Sequence, residues 1–420
     1  MSVATVQNSI ASQKEFIRPE LPLLYMTGSR LWNRIKTRTD AKAVSNRPIR
    51  APLAVSPGGK FRQFEPDGGD MQLGSGPLQT FGTLSCVYFL QATQYTARAE
   101  WTTDSDEKAI KDYVAFTEEE AVKSFVGYMD AIVSNGDGSN LLDTVVSTSG
   151  TNGLVVNNAN LFQDNQDIDV YTPNLAAYVG TVTVAFQDIG NNTIWLTGPF
   201  PGGTTTGYLL LVSGSAGVAN SGIFGLKYYH AGTNTGSFMN IQRSAFPGRF
   251  NTPTIAVNGP LTPAIARAIE AQVELAMGID KADESEVVIH CNVDMRAAWE
   301  ANAFLVQRVI QNEVKGDTSV DMLKRRAPTE MGGRPMLINE RALPGRLDIL
   351  SLKNWFRIES HPFDQYEVGG QTIFPAYGIS GGLAASMISY YVTGCQIGMD
   401  QPRLDASLTS VTVPKNYFGK

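Results

Sequence analysis

The sequence predicts an α+β fold with an inserted all-β domain, and three stretches of the chain lead to this expectation. Residues 117–138 have the apolar period of a long amphipathic helix. Residues 151–215 are poor in charge and contain short alternating runs, typical of a small β-barrel or β-sandwich. Residues 281–400 alternate helical and strand-like segments, as in a compact α/β or α+β domain.

The predicted helix, Thr117–Gly138, is the clearest single element. Thr117 and Glu120 form a capping-box pattern at its start, and Gly136 supplies a left-handed stop at its end. We expect its apolar side to pack against a second predicted helix over 262–277. The apolar positions recur at helical spacing and predict one buried stripe: Val122, Phe125, Val126, Met129, Ile132 and Val133.

The first hundred residues predict extended structure that reaches away from a core. Residues 1–44 are expected to form an arm that becomes ordered against a partner. Residues 45–100 predict a projecting β-hairpin, because two strand-like runs flank a stretch dense in proline and glycine.

Basic residues dominate the start of this hairpin. Between Gly28 and Phe64 the only acidic residue is Asp40. The pattern fits a solvated basic face, and it equally fits electrostatic docking onto an acidic neighbour or onto nucleic acid. The hairpin residues that would make such contacts between subunits are Arg47, Arg50, Lys60 and Arg62.

Residue composition and hydrophobic pattern divide the remaining chain into segments. The long helix lies in 101–149, the β-rich insertion covers 150–218, and 219–280 returns to the helical domain. A further domain is expected over 281–400, and 401–420 ends the chain with a strand-like return.

Composition excludes several classes of protein. The net charge of −6 argues against a dedicated nucleic-acid binder, which would be strongly basic. Only 18% of residues are charged, which predicts that much of the surface is covered by other copies of the chain. The three cysteines are far apart, so a reducing compartment is expected. The sequence has no signal peptide and no membrane-spanning run, and a soluble, cytosolically made protein is expected.

No catalytic, metal or cofactor site is predicted. Gly378–Gly382 matches the spacing of a nucleophile elbow, but no histidine follows His361, so the required order of residues fails. The three histidines are scattered, and Asp167 with Asp169 has the pattern of a solvated strand edge. The basic run 324–326 has the pattern of a solvated or ion-paired cluster.

The order of these parts resembles the major capsid proteins of tailed bacteriophages, which have the Hong Kong 97 fold shared with encapsulins. The likeness rests on the helix ending YMDAIVSNGDG, on the GLKYYHAG…NIQRSAFPG stretch before the second helix, and on GRPMLINERALPGRLDILSLKNWFRIE. It covers nearly the whole chain. It implies an N-terminal arm (1–44), an E-loop (45–100), a peripheral domain with the long spine helix (101–149 and 219–280) and an axial domain (281–400).

The resemblance also implies a function without enzymatic activity. A major capsid protein assembles as pentamers and hexamers into an icosahedral shell around double-stranded DNA, in the cytoplasm of the host bacterium. A portal protein at one vertex is an implied partner, and scaffolding and decoration proteins are further candidates. The alternatives are an encapsulin-like compartment and, from a different class, a β-rich tail or adhesin protein built around 151–215.

Overall fold

The structure is a computed structural model that describes residues 30–38, 48–62, 73–96, 98–99, 113–278, 286–299, 330–331, 334–377 and 383–413. These residues form few helices and many strands, which confirms the predicted α+β class. Residues 293–299 are helical. The named α-helices are α1 (Tyr113–Asn135), α2 (Leu226–Tyr229) and α3 (Pro263–Met277).

One sheet is built around a single long strand, β20, which has neighbours on both sides. β18 and then β19 pair with one side of β20, β4 pairs with the other side, and β1 adds to β18 in parallel. Residues 383–391 are apolar throughout much of their length, and pairing on both sides fixes them as strand. The members are β1 (Lys36–Thr37), β4 (Val87–Thr96), β18 (Trp355–Gln365), β19 (Ile373–Tyr377) and β20 (Leu383–Met399).

A second sheet of six strands has the order β13-β21-β17-β14-β16-β15. Helix α3 packs on it through Ile269 and Val273. The helix begins as predicted, because the Thr262 hydroxyl accepts a hydrogen bond from the Ile265 N–H at 3.4 Å. The strands are β13 (Thr254–Gly259), β14 (Val287–Cys291), β15 (Glu330–Met331), β16 (Arg334–Ile338), β17 (Leu347–Ser351) and β21 (Ala406–Val411).

The charge-poor stretch forms a closed barrel in the order β10-β5-β6-β9-β8-β7. Its first strand lies inside the range 101–149 that was assigned to the helical domain. Gly138 and Asn140 have positive φ angles of 91° and 63°, so the chain turns from helix α1 directly into the barrel. The strands are β5 (Leu141–Ser149), β6 (Gly153–Val156), β7 (Asp167–Tyr171), β8 (Tyr178–Asp188), β9 (Thr193–Leu196) and β10 (Leu209–Val212).

Two short antiparallel pairs complete the fold: β2 (Ile49–Ser56) with β3 (Leu78–Leu84), and β11 (Ser237–Phe238) with β12 (Ile241–Gln242). The segment predicted as one hairpin over 45–100 is divided, because β4 leaves the hairpin and pairs with β20 along its whole length. Leu84, at the end of β3, is buried and marks the point where the chain enters the core.

Helix α1 starts earlier than the sequence indicates. It begins at Tyr113, so Thr117 lies within the helix, and the predicted capping box at Thr117 is wrong. The Glu120 carboxylate accepts a hydrogen bond from Lys123 at 2.9 Å, and Glu119 accepts a second one at 2.7 Å. Side-chain pairs three and four residues apart on the helix surface therefore take the place of the expected cap.

The apolar stripe of α1 lies in the largest hydrophobic cluster, with residues of the barrel, of α2 and of the sheet around β20. Val122 and Val126 are partly buried, and the other four predicted stripe residues, Phe125, Met129, Ile132 and Val133, are buried. The expectation that the stripe packs against 262–277 is wrong, because α3 uses its apolar side to cover the six-stranded sheet in a separate cluster.

Candidate functional site

The hairpin β2–β3 is the candidate site for contacts between copies of the chain. The strands pair antiparallel, with Ile49 opposite Leu84 and Pro52 opposite Phe81. Leu53 is buried, whereas Leu78 and Phe81 on the partner strand are about half exposed. Since large apolar side chains are exposed to solvent on this hairpin, its surface resembles a protein–protein interface without its partner.

The base of the hairpin is fixed to the body of the protein. The Thr83 N–H donates to the Met239 carbonyl at 2.8 Å, and the Asn240 side-chain amide donates to the Thr83 carbonyl at 3.0 Å. A Cβ atom on Gly82 would lie 2.6 Å from the Cβ of Met239, so only glycine permits this approach. The hairpin therefore leaves the core at a defined point.

Beyond the base, two hydrogen bonds between Gly59 and Ser75 connect the segments that extend from β2 and β3. The Gly59 N–H donates to the Ser75 carbonyl at 2.6 Å, and the Ser75 hydroxyl donates to the Gly59 carbonyl at 3.1 Å. Farther out, Phe61 is fully exposed and Leu73 is 89% exposed. Sequence reasoning did not single out these two residues, although the signal was present as large apolar residues in a stretch of proline and glycine.

The basic candidates are spread along the hairpin. Arg47 lies outside the described residues. Arg50 is exposed, with its guanidinium 4.7 Å from the centre of the Phe81 ring, in a cation–π arrangement. Lys60 is exposed and Arg62 is partly exposed. Within the described part of the chain these three cations form no ion pair, so their contact with another subunit stays a prediction.

A buried polar cluster joins histidines that the sequence analysis described as scattered. His230 Nδ1 lies 2.8 Å from Asp348 Oδ1, and His230 Nε2 lies 3.3 Å from Asp405 Oδ2. His290 Nδ1 approaches the second oxygen of Asp348 at 4.0 Å. The earlier description is therefore wrong for two of the three histidines, because β14 and β17 are neighbours and bring distant residues together.

The surroundings of this cluster identify it as structural. His230, Asp348 and Asp405 are buried, and the Trp355 indole N–H donates to Asp405 at 2.5 Å. Burial alone would lower the pKa of His230, but the charges of Asp348 and Asp405 and their hydrogen bonds to the imidazole raise it overall. Because the cluster is buried, no substrate can reach it. Its hydrogen bonds connect α2, β17 and the segment before β21.

The pH dependence of stability tests this role. Burial opposes ionisation of Asp348, yet the charges of Arg346 and His230 and the hydrogen bond between Asp348 and His230 hold its pKa well below the usual range. The Asp348 contribution is present above about pH 4 and is lost as pH falls through its lowered pKa. The His230 contribution is complete below about pH 6.5 and is lost as pH rises through its raised pKa. We expect His230→Gln to destabilise the protein most near pH 5.

Chemical denaturation of His230→Gln and wild type at about pH 5 and pH 9 gives the comparison. The stability gap should narrow at the higher pH, by about 1.4 kcal/mol for each unit by which the folded-state pKa is raised. His361 is exposed, and His361→Gln should change stability by less than about 0.5 kcal/mol at either pH. An equal gap at both pH values for His230→Gln would contradict a charged, paired His230.

Other chemistry considered from the sequence finds no centre in the described chain. The segments 378–382 and 324–326 lie outside the described residues. Asp167 and Asp169 accept hydrogen bonds from the hydroxyls of Thr183 and Thr181 across the strand pair, both at 2.5 Å. No group of three or more His, Cys, Asp or Glu side chains suited to a metal occurs among the residues described. Likewise, none of the described helices is long and apolar enough to span a membrane.

Comparison with known proteins identifies the fold. No protein-family model and no curated protein matches the sequence. Among solved structures, a chain of the cyanophage A-1(L) capsid asymmetric unit is similar, with a TM-score of 0.57 and 13% identity over 94% of this chain and 96% of that one.

Two further structures are similar at a lower level. The capsid of the empty GTA particle has a TM-score of 0.49 and 8% identity, over 95% of both chains. A structure of Mycobacterium phage Che8 also has a TM-score of 0.49, with 6% identity over 94% of this chain and 96% of that one. At these scores the likeness carries no argument about the fold.

The class of protein is therefore an α+β chain that combines a closed barrel, a projecting hairpin and two larger sheets. Its particular fold is that of a phage capsid chain, as the alignment with cyanophage A-1(L) over nearly the full length of both chains shows. This confirms the capsid fold that the sequence predicted.

Proposed function

We propose that this protein is the major capsid protein of a tailed bacteriophage, which assembles as pentamers and hexamers into an icosahedral shell around double-stranded DNA. The observation that carries the proposal is the projecting hairpin, whose large apolar residues remain exposed in the described chain. The likeness of the whole chain to a cyanophage capsid chain supports it.

The physical case is one of assembly. A shell needs contacts that link many copies and close on themselves. Extended segments suit this role, because they bury area on a neighbour while tolerating small changes of angle. An obligate contact of this kind is expected to bury more than about 2,000 Å² per pair. The net charge of −6 suits a container for DNA, since a strongly basic lining would bind the genome tightly.

The proposal assigns a task to each part of the chain. The arm (1–44) and the E-loop hairpin reach other subunits, and Arg47, Arg50, Lys60 and Arg62 contribute electrostatic contacts there. Helix α1 is the spine of the peripheral domain (101–149 and 219–280), and residues 281–400 form the axial domain. The barrel is the outlying insertion.

The proposal also implies partners and a location. A portal protein would occupy one vertex of the shell, and scaffolding and decoration proteins are further proposed partners. The shell would assemble in the cytoplasm of the host bacterium and remain in the virion. The role is structural, without enzymatic activity, and the DNA is enclosed without recognition of its sequence.

Electron microscopy of the purified protein tests the proposal. We expect closed shells or capsomers as protein concentration rises, and the presence of only small discrete particles under all assembly conditions would overturn it. Deleting residues 54–66, which removes the hairpin tip, should abolish closed shells and shift the melting temperature of the free protomer by less than about 2 °C. An equal loss of protomer stability and assembly would place the tip in the core and contradict the assignment.

A further inference from the structure

Strand β4 has a long edge with no partner among the described residues. β20 pairs with one side of β4 in an unbroken register from Val87 to Thr96. The Tyr366 N–H donates to the Tyr390 carbonyl at 2.8 Å, so the backbone groups of Tyr390 point toward β18 and β19. The backbone N–H and C=O groups of successive residues in a strand point to alternate neighbouring strands. Those of Tyr391 and Thr393 therefore form hydrogen bonds with β4. The backbone groups that point away from the sheet are then those of Tyr88, Leu90, Ala92 and Gln94.

This edge lacks the features that protect four other strands at sheet edges. Pro52 interrupts β2, Pro362 and two register shifts interrupt β18, Pro375 interrupts β19, and β13 is a short strand with a register shift. β4 has ten residues, no proline and no charge, and Tyr88 and Leu90 on it are 59% and 60% exposed. A long, flat, apolar edge is a template for pairing with another strand, and natural proteins leave such an edge open where it is used.

The hairpin offers a matching edge. The Thr83 N–H points away from β2 to reach Met239, so the backbone groups of Gln79 and Phe81 also point away from β2. β3 contains no proline and no charged residue, and Phe81 is exposed. In the described chain, β3 pairs with β2 and β4 pairs with β20, and the free edges of β3 and β4 do not pair with each other.

Charged residues lie near both edges. The described hairpin residues include Arg50, Lys60 and Arg62, while Glu65, Asp67 and Asp70 of the same segment lie outside the described residues. Tyr391 lies opposite Gln91 of β4, and its pKa is raised by burial and by the negative charge of Glu118. On the far side of β20, Asp364 is exposed and lies opposite Val392, the partner of Leu90.

From these features we infer that β4 takes the β3 strand of a second copy as an added strand, with backbone hydrogen bonds to Leu90 and its alternate neighbours. The inference rests on the proposed shell function and names the place on the neighbouring subunit where the hairpin docks. Exposed Phe81 would then pack beside Tyr88 and Leu90.

A matched pair of variants separates backbone pairing from side-chain packing. Leu90→Pro removes the outward N–H but no bond to β20, and Leu90→Ala removes the side chain while keeping the N–H. The protein concentration needed for shell formation should be about tenfold higher for Leu90→Pro than for Leu90→Ala. The difference corresponds to the loss of one or two backbone hydrogen bonds between subunits. The melting temperatures of the free protomers should stay close to wild type. Equal assembly of the two variants would overturn the inference.

Disulfide trapping tests which strand is bound. Leu90→Cys protein is mixed with Gln79→Cys or with Phe81→Cys protein, allowed to assemble and oxidised. Paired strands bring Cα atoms to about 5.5 Å, within disulfide range, so one mixture should give a crosslinked dimer absent from wild type. Dimers formed by Leu90→Cys alone would indicate pairing of two β4 strands and overturn β3 as the occupant. Shells of wild type with no crosslink in either mixture would overturn the inference alone, whereas failure of wild type to form any shell would overturn the proposed function.

Discussion

Arg243→Lys is expected to destabilise the protomer by at least about 3 kcal/mol, although it keeps the positive charge. Arg243 is 1% exposed and donates only to backbone carbonyls. Its Nε reaches Ser237 at 3.2 Å, one Nη reaches Phe250, and the other reaches Tyr228 at 3.0 Å and Tyr229 at 3.2 Å. Burial lowers its pKa, and in the described chain no carboxylate pairs with it.

The planar fork of the guanidinium explains the size of this effect. A lysine ammonium has three donors at one point and cannot reach four carbonyls that surround the site on different sides. Each carbonyl left buried without a donor costs about 1–3 kcal/mol. The segment that would loosen joins α2 to β13, so the damage should spread to the core around Tyr229.

Denaturant unfolding of the assembly-free protomer measures this loss. Arg249 supplies a matched control, because it lies in the same segment and is exposed. Arg249→Lys should change the free energy of unfolding by less than about 0.5 kcal/mol. If Arg243→Lys unfolded at the same denaturant concentration as Arg249→Lys, the hydrogen bonds from Arg243 to the four backbone carbonyls would contribute nothing to stability.

The sequence predicted those elements whose patterns are local. Helix α3 has a threonine cap at Thr262, a proline in its first turn and Gly278 directly after its end, and its bounds agree with the helix predicted over 262–277. The stretch 151–215 alternates over short runs, and barrel strands occupy it. In both cases one side of a helix or strand faces a core, which sets the spacing of its apolar residues. That spacing can be seen within a short stretch of sequence.

Contacts between distant segments were not accessible in the same way. Nothing near His230 in the sequence indicates Asp348 or Asp405, because their meeting depends on the order of strands in the sheet. Likewise, Val87–Thr96 has the same strand pattern whether it continues the hairpin or pairs with β20. The fold class was therefore predictable, while the partner of each strand and the exposed tip of the hairpin required the structure.

The two phenylalanines Phe125 and Phe61 permit a direct separation of folding from assembly. Phe125 on α1 is 4% exposed, and its ring stacks on Phe363 at 4.6 Å between centroids, with Tyr391 stacked on Phe363 in turn. Phe125→Asp removes this packing, which costs about 3–5 kcal/mol, and buries an unpaired carboxylate, which costs about as much again. Since domains are stable by only about 5–15 kcal/mol, we expect the protomer not to fold.

The same substitution at Phe61 should have the opposite outcome. Phe61 is fully exposed at the hairpin, so Phe61→Asp leaves the core intact and should shift the melting temperature by less than about 2 °C. It places a negative charge beside Lys60 and Arg62 and removes an apolar contact from the proposed interface. Shell yield at matched protein concentration should therefore fall about tenfold or more.

Soluble yield, near-ultraviolet circular dichroism and electron microscopy of both variants give the readouts. Phe125→Leu is the control for the core site, because a smaller apolar side chain there should cost about 1–2 kcal/mol and still allow folding and shells. A folded, assembly-competent Phe125→Asp protein would contradict the burial of the α1 stripe. Normal shells from Phe61→Asp would show that the exposed tip makes no contact that assembly needs, and the interface would then lie elsewhere on the hairpin.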